Sequence, residues 1–319
     1  MRIIGIAQVR NESDIIEIFC RYHFQFLDGI IIMDHLSVDL TPDILQFLKE
    51  EGFPLDIRDS HDPAINKSLN HTEMMRMAVE EQGADWVLPL DADEFLTSID
   101  GSSFRENLGN AKPNRPVLVP WRTYIPKIGK QERGENTLEL IDHRLKEEFL
   151  QFYKTMAPAS LVRKGTKLST GSHWLQRPGS DKAVKPFEKS TTLVMAHFPV
   201  RSSSQIAAKA FAGWLAACSD PGRREDQGYH WKKLYHRFMS GYDLSDDELN
   251  ELAINYLTRD DHEKLSAELV CDPVTPEAGS IALKYTVLDS ALPLTVLAMA
   301  AEKLAHDYRR LRMESDRRA

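Results

Sequence analysis

Cysteine is scarce: Cys20, Cys218 and Cys271 are the only three in 319 residues, far apart and without metal-ligand spacing. An odd, scattered set excludes a complete disulfide framework and points to a reducing compartment. No run reaches about 18 apolar residues, so no membrane-spanning helix is expected. The N-terminus enters Ile3-Ile4-Gly5-Ile6-Ala7 with no basic leader or cleavage site before it, and the expectation is a cytoplasmic protein. Internal repeats and low-complexity tracts are also absent, as is a glycine-rich, basic phosphate loop near the N-terminus.

What is present is a globular composition, 42% hydrophobic and 28% charged. The length suits one large α/β domain with an appended subdomain, or two ordinary domains. The net charge of -8 hides an asymmetry: residues 1–110 carry 21 acidic against 8 basic side chains, and residues 111–200 carry 16 basic against 8 acidic. The middle third therefore presents either a face for an anion or a solvated basic surface. No nucleic-acid partner is expected. The basic tail from Tyr308 to Arg318 reads as a solvated helix end that leaves room for peripheral contact with anionic lipid.

Strand-like and helix-like segments alternate over the first 100 residues, which predicts βαβ units around a mainly parallel sheet. Residues 3–9 read as a strand, followed by a helix capped by Asn11 or Ser13. Ile30-Ile31-Ile32-Met33 is a buried strand. Thr41-Pro42 fits an N-cap with proline at the first helical position, opening a helix that Gly52 ends. A strand near 55–58, a helix over 65–82 stopped by Gly83 and a strand over 85–90 complete the set. Pro89 is awkward in that last strand, because proline cannot donate to a ladder and marks an edge or a bulge.

From 111 to 200 short strands dominate, clearest at 117–121 and 191–195, and antiparallel additions to the sheet are expected. Helices are predicted over 205–218, 234–239, 246–257 and 294–313. The expected division is a nucleotide-binding catalytic domain at 1–200 and a helical region at 201–319 for acceptor binding or oligomerisation.

The most informative stretch is Trp86-Val87-Leu88-Pro89-Leu90-Asp91-Ala92-Asp93-Glu94-Phe95. An apolar strand delivers two carboxylates, two residues apart, to the carboxyl edge of an α/β sheet, where ligands bind. Carboxylate oxygens suit Mg2+ or Mn2+, which keep open positions for substrate phosphates. Capping of the following turn is the blander account of the same acids. A second polar cluster, Val9-Arg10-Asn11-Glu12, ends the first strand before a helix N-terminus, a place for a base or phosphate or for ordinary capping. A third, Asp34-His35-Leu36-Ser37-Val38-Asp39-Leu40-Thr41, follows the second strand, and Asp34 could accept hydrogen bonds from a ribose or base.

Together these segments resemble family 2 glycosyltransferases of the GT-A fold, in the bacterial branch whose strand ends in Asp-x-Asp-Glu-Phe. Arg10, Asn11 and Glu12 match that family's Arg-Asn-Glu motif. Asp34, Ser37, Asp39 and Thr41 match its Asp-Asn-x-Ser-x-Asp-x-Thr pattern, with His35 in place of the usual Asn and Leu40 in place of Gly. Further along, Thr170-Gly171-Ser172-His173-Trp174 and Ala196-His197-Phe198-Pro199-Val200-Arg201-Ser202 look like the branch's histidine-containing segments.

The resemblance implies a GT-A-like α/β fold, Rossmann-type and mainly parallel, and a hexosyltransferase-type activity. The donor would be a nucleotide sugar, a UDP-sugar first, and the acceptor a saccharide, a lipid-linked group or a protein, with inversion. Asp91, Asp93 and His197 would hold Mn2+ or Mg2+. Val9, Arg10, Asn11, Glu12, Asp34 and Asp91, with Arg201 and Lys209, would bind the donor. Asp93, Glu94 and His173 are the catalytic candidates; Glu94, Asp142, His173 and Glu188 all stay open as the general base, with His173 preferred. Trp174 is a candidate sugar platform. Other readings are a nucleotidyltransferase of similar fold, a haloacid-dehalogenase type of phosphatase, and a non-catalytic carbohydrate-binding or scaffold protein.

Overall fold

The first strand, β1 (Ile3–Val9), is buried almost throughout, as a central parallel strand must be when helices cover both faces. Ile3, Ala7 and Val9 point into one core cluster, Ile4 and Ile6 into another. Gly5 fits between them because a Cβ there would come within 2.8 Å of Leu27 Cδ1. The structure, a computed structural model, describes residues 1–60, 67–126, 136–219, 228–256 and 267–286, with positions 301, 303, 304 and 307.

Helix α1 (Ile16–His23) leads to β2 (Gly29–Asp34), and α2 (Thr41–Glu50) to β3 (Leu55–Asp59). These strands run parallel in the order β1, β2, β3, with Ile16, Phe19, Leu45 and Leu48 packed in the first cluster. Helix α3 (Lys67–Glu80) covers the other face through Met74, Met75 and Ala78, then returns the chain to β4 (Trp86–Leu90) on the far flank of β1. The order β4-β1-β2-β3 therefore reverses between β1 and β4. A crevice beyond the carboxyl ends of strands at such a reversal is where open α/β sheets bind ligands.

β5 (Glu94–Ser98) follows β4 directly. The sheet continues through β6 (Val117–Ile125), β7 (His143–Leu145), β8 (Tyr153–Pro158), β9 (Leu193–His197) and β10 (Leu269–Cys271). β8 pairs antiparallel with β4 and β6, β7 with β6 and β10, and β9 with β5, while β9 is parallel to β6. The architecture is the predicted α/β one, mainly parallel at its centre, flanked by helices and extended by antiparallel strands. Helices α4 (Ser203–Ser219), α5 (Tyr229–Met239) and α6 (Asp246–Ile254) follow. Among the described residues no helix is long and apolar enough to cross a membrane.

Several local expectations need correction. Neither Asn11 nor Ser13 caps α1, whose N-cap is Ile15 without a side-chain bond. Asn11 instead takes a left-handed φ of 53° and accepts from Val38 N at 2.9 Å, a conformation its short polar side chain tolerates. Thr41 is the first residue of α2 rather than its cap, and its Oγ1 accepts from Glu12 N at 2.8 Å. Pro89 lies inside β4 and not at a bulge: β8 pairs only Trp86 and Val87, so on that side a residue without an N–H breaks no ladder bond. Helix α5 begins five residues earlier than predicted, and α6 stops at Ile254. Residues 61–66, which include the start of the helix predicted over 65–82, lie outside the described residues, as do most of the 294–313 helix and the basic tail.

Candidate active site

The two acids sit in the turn from β4 to β5, which closes on itself. Glu94 N donates to Asp91 O at 3.0 Å, and Asp91 N donates to Glu94 Oε2 at 2.9 Å. Phe95 and Leu96 are buried beneath. β9 lies against β5 with His197 opposite Glu94, and Phe198 N donates to Asp93 O at 2.8 Å. That register brings His197 Nε2 to 3.9 Å from Asp93 Oδ1. The His197 ring stacks on Trp121 at 4.4 Å.

Buried charge needs a partner, and each acid has one. Asp91 Oδ1 lies 2.7 Å from Lys67 Nζ and 3.2 Å from Lys154 Nζ. Lys154, 0% exposed on β8, also meets both Glu94 oxygens at 3.0 and 2.8 Å. Lys209 Nζ is 2.8 Å from Asp93 Oδ2, and Arg201 Nη1 is 4.0 Å from it. Arg201 binds Asp14 through two nitrogens at 2.6 and 2.9 Å, and Glu12 at 2.7 Å.

These contacts divide the carboxylates. Burial opposes ionisation of Asp93, but Lys209 and His197 outweigh it and hold it well below the usual carboxylate range. Asp91 is held low in the same way, burial being overcome by Lys154 and Lys67. Glu94 goes the other way: burial pushes it up to about 8, because it shares the Lys154 ammonium with Asp91. Burial likewise lifts Glu12 to about 7 against Arg201 and Lys209. His197 falls to about 4 through burial, with Asp93 opposing, and its imidazole is neutral at neutral pH.

At the ends of β1 and β2 the turns interlock. His35 N donates to Val9 O at 2.8 Å, Ser37 N to Asp34 Oδ2 at 3.1 Å, and Asn11 N to Ser37 Oγ at 2.9 Å. Hydrogen bonds thus link Asp34 through Ser37 to Asn11, and its chain neighbour Glu12 pairs with Arg201, which lies 4.0 Å from Asp93. Arg10 Nε, Arg10 Nη1 and Asp34 Oδ1 are buried with no hydrogen-bond partner among the described residues. Burial lowers Arg10 against the field of Asp34, and burial raises Asp34.

His173 reaches the same region from the loop after β8. It packs against Trp121 at 5.4 Å on a T-shaped contact, and its Nδ1 lies 2.8 Å from Tyr153 O. A carbonyl only accepts, so Nδ1 carries the hydrogen and the neutral ring keeps its lone pair on Nε2. Burial lowers its pKa. Gly171 makes the loop passable: its φ is +70°, and a Cβ there would lie 2.5 Å from His173 Nε2.

Asp93, His197, Arg201 and Lys209 therefore come together, with Glu12 one contact away, while Asp91 turns toward the lysines. Among the described residues, the group of three possible metal ligands whose atoms all lie within 4.8 Å of one another is Asp142, His143 and Cys271, not Asp91, Asp93 and His197. Of the other base candidates, Glu94 is enclosed, Asp142 belongs to the β7–β10 edge, and Glu188 faces Arg115 at 3.9 Å. Trp174 is 42% exposed. Asp93 Oδ1 and His197 Nε2, 3.9 Å apart, would have to close to about 3.0 Å to hold a divalent cation at adjacent octahedral positions with bonds of about 2.1 Å. Lys67, Lys154, Asp14 and Trp121 escaped the sequence reading. Only Lys154 left a signal, as the single charged residue of β8, Tyr153–Pro158.

No family model and no curated protein matches the chain. Similar solved structures include a mannosyltransferase from Pyrobaculum calidifontis in complex with GDP-Man and Mn2+, 19% identical over 37% of this chain, TM-score 0.28. Another is glucosyl-3-phosphoglycerate synthase from Mycobacterium tuberculosis in complex with Mn2+, UDP and glucosyl-3-phosphoglycerate, 15% identical over 38% of this chain, TM-score 0.27. A third is mannose-1-phosphate geranyltransferase from Thermus thermophilus, 11% identical over 78% of this chain and 67% of that one, TM-score 0.28. The match spans 35% of the mannosyltransferase and 44% of the synthase.

Proposed function

We propose that this chain is a metal-dependent glycosyltransferase that moves a sugar from a nucleoside-diphosphate donor, a UDP-sugar first, to a saccharide, lipid-linked or protein acceptor with inversion. One observation carries the reading: past the carboxyl ends of β1 and β2, Arg10 and Asp34 hold buried polar atoms with no hydrogen-bond partner among the described residues, and past the end of β4, Asp93 gathers His197, Arg201 and Lys209 within 4.0 Å. Buried polar groups without partners are rare in folded proteins and mark a polar ligand or ordered water. Arg10 donors and the Asp34 acceptor suit a base or ribose; at the other end Lys209 and Arg201, now paired with Asp93, Asp14 and Glu12, would turn to a metal-bound diphosphate.

Asp93 and His197 would hold Mn2+ or Mg2+, with Asp91 on its outer side, and the bound ion would offset charge developing on the departing diphosphate. Lys209 and Arg201 put fixed positive charge at the same end, without reorganisation during the reaction. His173, neutral and with its lone pair on Nε2, is the base that takes the acceptor hydroxyl proton. Glu94 touches neither ligand; it is a positioning residue that fixes the Asp91 amide and Lys154.

Thermal shift against a panel of nucleoside diphosphates, with and without Mn2+, tests the assignment. Mn2+-dependent stabilisation by one of them is expected, and Asp93→Asn should lose it while still unfolding cooperatively, at a lower midpoint because Lys209 loses its buried partner. Absence of any metal-linked stabilisation in the wild type, or its survival in Asp93→Asn, overturns the site.

A further inference from the structure

A second constellation lies away from the acids, at the edge of the sheet where β10 pairs with β7. Cys271 stands opposite His143 in that antiparallel pair, and the carboxylate of Asp142 spans the two: Oδ1 is 2.5 Å from His143 Nδ1, and Oδ2 is 3.8 Å from Cys271 Sγ. All three ligand atoms lie within 4.8 Å of one another, with Asp142 and His143 partly buried and Cys271 exposed. Asp142 and Cys271 are 129 residues apart, which is why cysteine spacing along the chain reveals nothing.

We propose that Asp142, His143 and Cys271 form a zinc site that clasps β10 to β7. The donor set is one thiolate, one imidazole and one carboxylate, a borderline-soft combination that favours zinc over the hard Mn2+ or Mg2+ of an oxygen-rich site. Tetrahedral zinc with bonds of about 2.3 Å to sulfur and about 2.0 Å to oxygen sets those donors about 3.5 Å apart, close to the 3.8 Å found. With Oδ2 as the carboxylate ligand, His143 Nδ1 must leave its 2.5 Å contact with Oδ1 and come to about 3.3 Å from Oδ2, a rotation open to two partly exposed side chains. Water completes the fourth position. Binding converts the Cys271 thiol to a zinc-bound thiolate and releases its proton to solvent, with no change in oxidation state.

The clasp has something to hold. β10 is a three-residue edge strand, joined to the sheet by its ladder to β7 and by Asp272, whose carboxylate meets Arg144 at 2.5 Å and Arg122 at 3.2 Å. Asp272 N donates to Asp142 O at 2.8 Å. A metal bond between Cys271 and His143 would cross-link the strands at the next register position and anchor the segment that runs on toward residue 286.

The test is a Co2+ titration of the metal-stripped full-length chain. Saturable growth of a thiolate-to-cobalt charge-transfer band, bleached by added zinc, is expected. The band should vanish in Cys271→Ser and persist in Cys218→Ser. Zinc should also shield Cys271, but not Cys218, from iodoacetamide in the wild-type chain, which needs no variant to fold. Absence of the band, its survival in Cys271→Ser, or alkylation of Cys271 at the same rate with zinc bound overturns the site. Asp93→Asn should keep the band, so failure of the glycosyltransferase reading and failure of the zinc clasp give different results.

Discussion

Lys154 is the most exacting place to perturb the site. Its ammonium is fully buried between Glu94 at 2.8 Å and Asp91 at 3.2 Å, and methionine in its place fills most of the same volume without charge. Above the Glu94 titration at about 8, where that carboxyl is ionised, removing one partner of a buried ion pair costs about 3–5 kcal/mol, because the remaining charge is stranded. The unfolding entropy scales to about 0.7 kcal/mol/K for a chain of this length, so Lys154→Met should lower the melting midpoint by about 4–8 °C. The double variant Glu94→Gln/Lys154→Met removes the stranded carboxylate, while the Gln carbonyl can still accept from Asp91 N. Asp91 retains Lys67. The double variant should therefore melt above Lys154→Met, with a coupling of about 1–3 kcal/mol. Differential scanning calorimetry on the four-member cycle, run at a pH above the Glu94 titration at about 8, measures it. A single-variant drop of under about 1 °C, or a double variant that loses the sum of the two single losses, would refute the assignment of Lys154 as the shared counter-ion.

Two further outcomes follow from the same groups. Glu94 is raised in the folded chain from an ordinary 4.5 to about 8, so the folded state keeps a proton that the unfolded state has lost; its contribution is full below about pH 4.5 and disappears as pH rises through about 8. Urea midpoints of Glu94→Gln should therefore decline less than those of the wild type across that window, and parallel curves would show that Glu94 ionises normally. Gly171→Ala places a Cβ 2.5 Å from His173 Nε2 at a φ of +70°; it should cost about 1 kcal/mol or more and lower kcat with little change in donor KM, whereas unchanged turnover would remove His173 from the reaction.

The legible part of the fold was the part with strong periodicity. β1, β2 and β4 are continuous apolar runs, and Gly52 and Gly83 end helices at φ of +96° and +67°, so the βαβ order was readable from chain pattern alone. Caps were misread because Asn11, Ser13 and Thr41 have partners 26 to 29 residues away, and long-range bonds leave no local signature. The same limit applied to the site. Asp93 and His197 end apolar strands and could be named, but the cations that match the acids arrive from α3, β8 and α4, and Lys67 resembles any surface lysine. His35, in place of the usual Asn, proved harmless to the turn, since its backbone N–H makes the bond to Val9 O.

The cluster around the acids has a charge count that explains why metal and diphosphate must be tested together. Five carboxyl groups, Glu12, Asp14, Asp91, Asp93 and Glu94, face four cations, Lys67, Lys154, Arg201 and Lys209. With Glu94 raised to about 8 and Glu12 to about 7, three full negative charges and one partial charge meet four positive ones at neutral pH. On the proposed reading, a divalent cation alone adds uncompensated charge to a buried and nearly neutral site, and a diphosphate alone adds the opposite excess; burying either one is costly. Bound together, the two nearly cancel. Each should therefore tighten the other by the same factor, as linkage requires, and the lysines that now cover Asp91 and Asp93 are the groups each ligand must displace or share.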